Sequence, residues 1–513
     1  MPVIQRILQT SPELARRQSK ATIDIQSLII SPTRELAEQI AKEAQRMVKD
    51  TGIKVGLSVG GTGRSGALRD MERFGCHIMV GTPGRLNDLL SDKYTKVKAP
   101  RLNSFVLDEA DRLLDDGFGP AIEEIYRYLP GKLEVDRQTL MFSATMGPEV
   151  RGMVRKFMKE DFRTVQTIAQ GETQTHENVP QHVIVTHGLE NQMPALLELA
   201  KRESNESQAF KAIVFFNTAA TATLAMQIWS RSSLAEKTDI PGLVMHARLT
   251  QGTRTRTSDK FRKSTRAIMF ASDVAARGMD FPNVTHVIQI GVPKDRDTYI
   301  HRIGRTGRAG KEGQGWLFLS PWDKSHYSSK LRNLPIKQNN SIETAKVDMS
   351  EALSIPQATA EILSDSIQAA KNVEYTYKSS AFLSLLSEGT STDKSTLINA
   401  LNRLSIYGWG LDPPPAVSRA LAAKTGFSRV VEMNIGNDSR AEVRDRVESS
   451  VRGSRGGAGQ RRGYGDRDPD TSSGPRQSYR ERDSGPRTTD RPRRSVRGDK
   501  FEGGSRPPAR RAY

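Results

Sequence analysis

The chain carries a single cysteine, Cys76. One thiol cannot build a disulfide framework, so a small stapled secreted module is excluded and a reducing compartment is expected. No run of about 18 apolar residues occurs, so no membrane-spanning helix is expected. Hydrophobic residues make up only 36% of the chain. That is below the usual ~45–50%, a figure that also counts glycine, so part of the chain is expected to stay unpacked. A further lack is the phosphate-cradling pattern G-x-x-x-x-G-K-[ST], which occurs nowhere; the nearest glycine cluster, Gly60-Gly61-Thr62-Gly63-Arg64-Ser65, has no lysine.

What is present is length and positive charge. At 513 residues the chain has room for about three domains, or two with tails, which excludes a lone small binding module. Its net charge of +18 favours a polyanionic partner, nucleic acid or an anionic membrane surface. Residues 451–513 hold 17 basic against 8 acidic side chains and almost no large aliphatics. Such a stretch cannot bury enough apolar surface to offset its ordering entropy and reads as disordered. Its Arg-Gly pairs, at Arg452-Gly453, Arg455-Gly456, Arg462-Gly463 and Arg497-Gly498, are interleaved with Tyr464, Tyr479 and Phe501. Charge for phosphates and rings for bases suit single-stranded nucleic acid, although a merely solubilising tail has the same composition.

Upstream, short runs rich in Val, Ile and Phe alternate with helical patterns. Strands are predicted at 27–30, 105–107 and 139–142. After a new start near Val183, more follow at 213–216, 243–245, 267–270, 284–290 and 316–319. Alternation of this kind predicts parallel sheets, and two stretches of it predict two α/β domains. Helical spacing returns at 352–370, 381–386, 395–406 and 416–424, predicting a small helical appendage. In open α/β sheets ligands bind outside the carboxyl ends of the strands, so the residues just past each strand carry the functional expectation.

Those residues are Ser31-Pro32-Thr33-Arg34-Glu35-Leu36-Ala37, Thr82-Pro83-Gly84-Arg85, Asp108-Glu109-Ala110-Asp111 and Ser143-Ala144-Thr145, then Ser272 to Asp280 and His301-Arg302-Ile303-Gly304-Arg305-Thr306-Gly307-Arg308. Each of the first four has an ordinary reading as a turn or helix start. Yet paired carboxylates at a strand end can hold Mg²⁺ and orient water. Three arginines spaced by glycines suit bidentate phosphate contacts.

Together these motifs, in this order, resemble the DEAD-box RNA helicases over about residues 1–335. The resemblance implies two RecA-like parallel-sheet domains that close on ATP, Mg²⁺ and single-stranded RNA, in a monomer with no membrane partner. It divides the chain into an ATP-binding domain at 1–170, a helicase C-terminal domain at 175–335, a helical extension at 340–440 and a disordered Arg/Gly-rich tail at 441–513. That layout is similar to fungal mitochondrial DEAD-box RNA chaperones that assist intron splicing, which implies the mitochondrial matrix. Carried onto this sequence, Asp108 would hold Mg²⁺ and Glu109 would orient the attacking water. Asp111, Ser143 and Thr145 would couple nucleotide to the other domain, and Asp280 would meet the ribose. Arg305 and Arg308 would act as arginine fingers, with His301 bridging the domains. Pro32, Thr33, Arg34, Gly61, Thr82, Arg85, Gln251, Arg254 and Ser272 would lie along the RNA backbone, where contacts carry little sequence information.

The sequence departs from the family in three places. Ser272 stands where threonine is usual, with the hydroxyl kept. Met245-His246-Ala247-Arg248 replaces a more usual His-Gly pair. Most consequentially, the phosphate cradle and the upstream glutamine motif are missing, and Pro2-Val3-Ile4-Gln5 resembles a segment that follows the family's P-loop helix. The expectation is a chain that starts downstream of its own cradle, hydrolyses ATP poorly as it stands, and shows no targeting peptide. Two other functions stay open at this point: a non-catalytic RNA-binding scaffold and a DNA translocase.

Overall fold

A computed structural model describes residues 1–436 except 17–20, 62, 96, 132–133, 167–178, 207–208, 276–278, 309–310, 352–353 and 389–392. The basic tail, the predicted boundaries at 170, 175 and 441, and the middle of the 272–280 motif lie outside the described residues.

The first sheet has five strands: β1 (Ile23–Ile30), β2 (Val55–Ser58), β3 (Cys76–Gly81), β4 (Ser104–Leu107) and β5 (Gln138–Met141). They are parallel and ordered β2-β3-β1-β4-β5. Three of them are the predicted strands. β2 and β3 were not predicted because glycine interrupts one and Cys76-His77 opens the other. Both are held by tertiary fit. Every residue of β3 is buried, and His77 accepts at Nδ1 from the Lys54 amide, 2.9 Å away. A Cβ on Gly81 would lie 2.2 Å from the Ser58 carbonyl oxygen, so only glycine lets β2 and β3 approach there. β5 forms an edge of the sheet and is only half-buried.

The second sheet has seven parallel strands: β6 (Gln181–Val185), β7 (Lys211–Phe216), β8 (Gly242–Met245), β9 (Ala267–Ala271), β10 (His286–Ile290), β11 (Gln314–Leu319) and β12 (Ile336–Gln338). Their order is β12-β6-β11-β10-β7-β9-β8. β7, β9 and β10 are buried at every position, the near-continuous apolar pattern of strands covered on both faces. β10 starts at His286 rather than at 284.

The appendage contains helices Gln357–Lys371, Tyr375–Glu388, Lys394–Arg403 and Arg419–Thr425. The second of these starts six residues before the predicted 381. Its first turns look polar, but Lys378 is buried and its ammonium donates to the carbonyls of Lys371 and Trp409, 3.3 Å from each. The appendage shares an apolar cluster with Leu189, Leu224 and Ile228 of the second domain. Arg403 fastens it further, donating to Glu190 and to Asp348 at 2.8 Å each.

Candidate nucleotide and RNA interface

The acidic motif begins where β4 ends. The Asp108 amide still belongs to the sheet, donating to the Ile30 carbonyl at 3.0 Å. Glu109 then takes a left-handed backbone, with φ of 49°. That region is sparsely populated by residues other than glycine, and such strain gathers at functional sites. The turn ends the strand and starts the helix Ala110–Asp115. Burial, and next the neighbouring Glu109, pushes the Asp108 carboxyl up to about 6. The strand end is thus short of positive charge.

β5 ends beside it. The Ala110 amide donates to the Phe142 carbonyl at 2.9 Å. Ser143 Oγ donates to the Thr145 carbonyl at 2.7 Å, and Thr145 Oγ1 donates to Asp111 Oδ2 at 3.4 Å. The same Asp111 oxygen lies 3.4 Å from Nε2 of His301, which belongs to the second domain, and both side chains are buried. The structure therefore brings Asp108, Glu109, Asp111, Ser143, Thr145 and His301 into one locus.

The helix Arg296–Ile303, capped by Asp295, carries His301 and leads into the arginines. Arg302 is fully buried and acts as an anchor: Nε donates to Asp273 at 2.8 Å and Nη2 to Asn217 at 3.1 Å. Arg305 donates to the carbonyls of His301 and Met279. Arg308 pairs with Asp280 at 2.8 Å, and the Asp280 amide donates to Gln39 of the first domain at 3.3 Å.

The residues expected along RNA fall at neighbouring strand ends. Pro32, Thr33 and Arg34 follow β1, and Thr33 caps the helix Arg34–Met47. Gly61 follows β2 with φ of 79°, packed so closely that a Cβ would lie 2.2 Å from Arg34 Nη1. Thr82 and Arg85 follow β3, and Ser272 follows β9, its amide donating to the Met245 carbonyl at 3.0 Å. In the departing Met245-His246-Ala247-Arg248 turn, His246 is held by Thr223 at 2.9 Å.

Gln251 and Arg254 open the helix Gln251–Lys263 and reach across to the first domain. Gln251 Nε2 lies 3.1 Å from Glu35 and 3.2 Å from Glu38, and Arg254 Nη2 pairs with Glu35. Sequence reasoning gave Glu35, Glu38 and Gln39 no role, and it counted Arg302 among three phosphate-binding arginines, whereas the structure buries Arg302 against Asp273 and Asn217. Glu35 stood inside a quoted motif, so a charged residue within a motif was the available signal. Glu38 and Gln39 gave none.

Two parallel-sheet domains that clasp an acidic strand end against an arginine-bearing helix define a nucleotide-dependent motor core of the helicase type. The DEAD/DEAH box helicase pattern matches residues 1–153, and the helicase conserved C-terminal domain matches 191–310. The chain belongs to this family. It is 45% identical to the ATP-dependent RNA helicase mss116, mitochondrial, of Aspergillus fumigatus, over 85% of this chain and 69% of that protein. It is 43% identical to the ATP-dependent RNA helicase cyt-19, mitochondrial, of Neurospora crassa, over 91% and 74% respectively. Its fold is similar to that of Mss116p bound to ssRNA and AMP-PNP, with a TM-score of 0.70 at 29% identity, over 84% of this chain and 83% of that one.

Proposed function

We propose that this chain is the body of an ATP-dependent RNA helicase of mitochondria, which separates short duplexes and remodels structured RNA such as introns. The observation that carries the reading is the contact between His301 and Asp111. It joins the arginine-bearing helix of one domain to the acidic strand end of the other, as a clamp closed by nucleotide requires. The proposed units are 1–170, 175–335, 340–440 and a basic tail at 441–513, working as a monomer.

In this reading Asp108 holds Mg²⁺. Its raised carboxyl marks a site that gains from a cation. When bound, the ion would neutralise phosphate charge. Glu109, set apart by its left-handed turn, orients the attacking water. Arg305 and Arg308 face developing charge on the γ-phosphate, and Asp280 meets the ribose. Thr145, Asp111 and His301 relay closure, which Glu35 locks by holding Gln251 and Arg254. Pro32, Thr33, Arg34, Gly61, Thr82, Arg85, Gln251, Arg254 and Ser272 then track the RNA backbone.

The test is phosphate release and displacement of a short RNA strand, measured in a form that supplies G-x-x-x-x-G-K-T ahead of Met1. Stimulation by RNA and not by DNA is expected. Stimulation by DNA alone would favour a translocase, and no stimulation by either would favour a binding scaffold.

A further inference from the structure

β7 and β10 lie side by side in the second sheet, but β7 leads on to β9 and β8 while β10 leads to β11 on the other side. Such a divergence leaves a crevice at the carboxyl ends of the strands, where open parallel sheets bind ligands. Here the appendage roofs it. A cavity of about 480 Å³ runs between Phe216, Asn217 and Val292 at the strand ends and Leu385, Glu388 and Trp409 of the appendage. That volume is within the ~300–1,000 Å³ of small-molecule sites. Asp108, Glu109, Arg305 and Arg308 do not line it, so it is separate from the interdomain locus.

Glu388, the last residue of its helix, presents a carboxyl to this space. Among the described residues no hydrogen bond or ion pair reaches that carboxyl. The charges that act on it are Arg302, Asp323 and Asp273. Arg302 gives Nε to Asp273 and Nη2 to Asn217, and its buried Nη1 makes no hydrogen bond to Glu388, while Asp323 accepts from the amide and hydroxyl of Ser320 at 2.8 and 2.7 Å. Lys294 and Lys330 also line the cavity, and neither forms an ion pair with Glu388. A half-buried carboxylate without a counter-ion is costly, and burial pushes this carboxyl up to about 7.

We propose that this cavity binds a small organic cation, an ammonium or guanidinium on an apolar body, with Glu388 as its counter-ion. The apolar walls take the body and Glu388 takes the head. An occupant touches the appendage and the ends of β7 and β10 together, so binding ties the appendage to the second domain. Through Asp273 and Asn217 the same cavity borders the partners of Arg302, next in sequence to His301.

The experiment titrates phenethylamine into the full chain by calorimetry. Saturable 1:1 binding is expected, about tenfold tighter at pH 8 than at pH 6 as Glu388 gains its charge. 2-Phenylethanol, the uncharged analogue, should bind at least about tenfold more weakly, the scale of one missing charge pair. Glu388→Gln should erase both the preference for the amine and the pH dependence. Should that variant fail to fold, Leu385→Trp fills the cavity while leaving Glu388 intact, and it should block the amine. The proposal is overturned by the absence of saturable binding, by equal affinity for amine and alcohol, by preference for 3-phenylpropionate (which would make Lys294 and Lys330 the recognition element), or by binding that neither variant weakens.

Discussion

Arg254 of the second domain and Glu35 of the first form an ion pair whose side chains are only 10% and 6% exposed. Removing one partner of such a pair leaves an uncompensated buried charge, a cost of about 3–5 kcal/mol where the charge stays buried. Here it need not stay buried, because the two domains can part and rehydrate Glu35. Arg254→Met should therefore loosen the clasp rather than unfold either domain. Labels on the two domains should report a longer mean distance by energy transfer, with the melting temperature little changed. Adding Glu35→Gln should recover part of the compaction. Unchanged distances in the single variant would show that the pair does not hold the interface.

Asp108 gives a pH signature. Its carboxyl is raised from 3.8 to about 6 by burial and by Glu109, so the folded chain binds this proton more tightly than the unfolded chain does. Stability is then lost as pH rises from about 4 to about 6, and stays lost above that. Asp108→Asn removes the penalty. Each tenfold change in proton affinity is worth about 1.4 kcal/mol, so the variant should be more stable at pH 7.5 by an amount on the order of 2–3 kcal/mol before solvent screening. The gain should shrink toward pH 4. Melting curves across that range check it, and a gain independent of pH would assign the effect to something other than this charge.

The two sheets were legible because their central strands are unbroken apolar runs, such as residues 212–216 and Ala267–Ala271. β2 and β3 were not, because Gly56, Gly81 and His77 are local breakers that only a neighbouring strand makes favourable. The strand-end motifs were legible as short letters. Their pairing across the interface was not, since Glu35 meets Arg254 over 219 positions of sequence, and no periodicity reports a contact of that range. Glu388 was invisible for the same reason: a glutamate at the end of a helix looks solvated until Arg302 and the ends of β7 and β10 are placed against it.

The arginines divide by role. Arg302 is spent on Asp273 and Asn217, so Arg302→Ala should destabilise the second domain. Arg305 and Arg308 carry the proposed chemistry. In a form with a phosphate cradle, Arg305→Ala or Arg308→Ala should lower turnover by a factor on the order of 10³–10⁵, as for arginine fingers in other nucleotide hydrolases. RNA binding without nucleotide should change little. Near-normal phosphate release in both variants would remove them from the mechanism.

The tail prediction rests on composition alone. With 17 basic against 8 acidic residues, residues 451–513 should add phosphate contacts without choosing sequence. Deleting them should weaken RNA binding at low salt. It should also flatten the dependence of log affinity on log salt, by about 0.7 for each single-strand phosphate that the tail had neutralised. Fluorescence anisotropy at several salt concentrations measures this, and an unaltered slope would leave the tail without an RNA role.

The last prediction concerns residues 1–513 as they stand. This stretch should hydrolyse ATP very slowly. It contains no G-x-x-x-x-G-K-[ST], so neither a backbone-amide cradle nor a lysine from such a loop neutralises the β- and γ-phosphates. Asp108 and Glu109 stand at the end of β4, yet phosphoryl transfer draws nearly all its catalysis from positioning and electrostatics. The first sheet carries a liability of its own. β5 is an edge strand with Gln138 exposed and its other residues half-buried, and Phe142 just beyond it is 55% exposed. An apolar edge of this kind invites pairing with other chains. The seven-stranded second sheet has no such defect at its buried centre and should keep its fold. Phosphate release with saturating RNA, measured side by side for this chain and for one supplying the cradle, decides the first point. Light scattering on heating decides the second. Equal turnover in the two forms would mean that phosphate is held by groups other than a P-loop, and the assignment of the site would have to be redrawn.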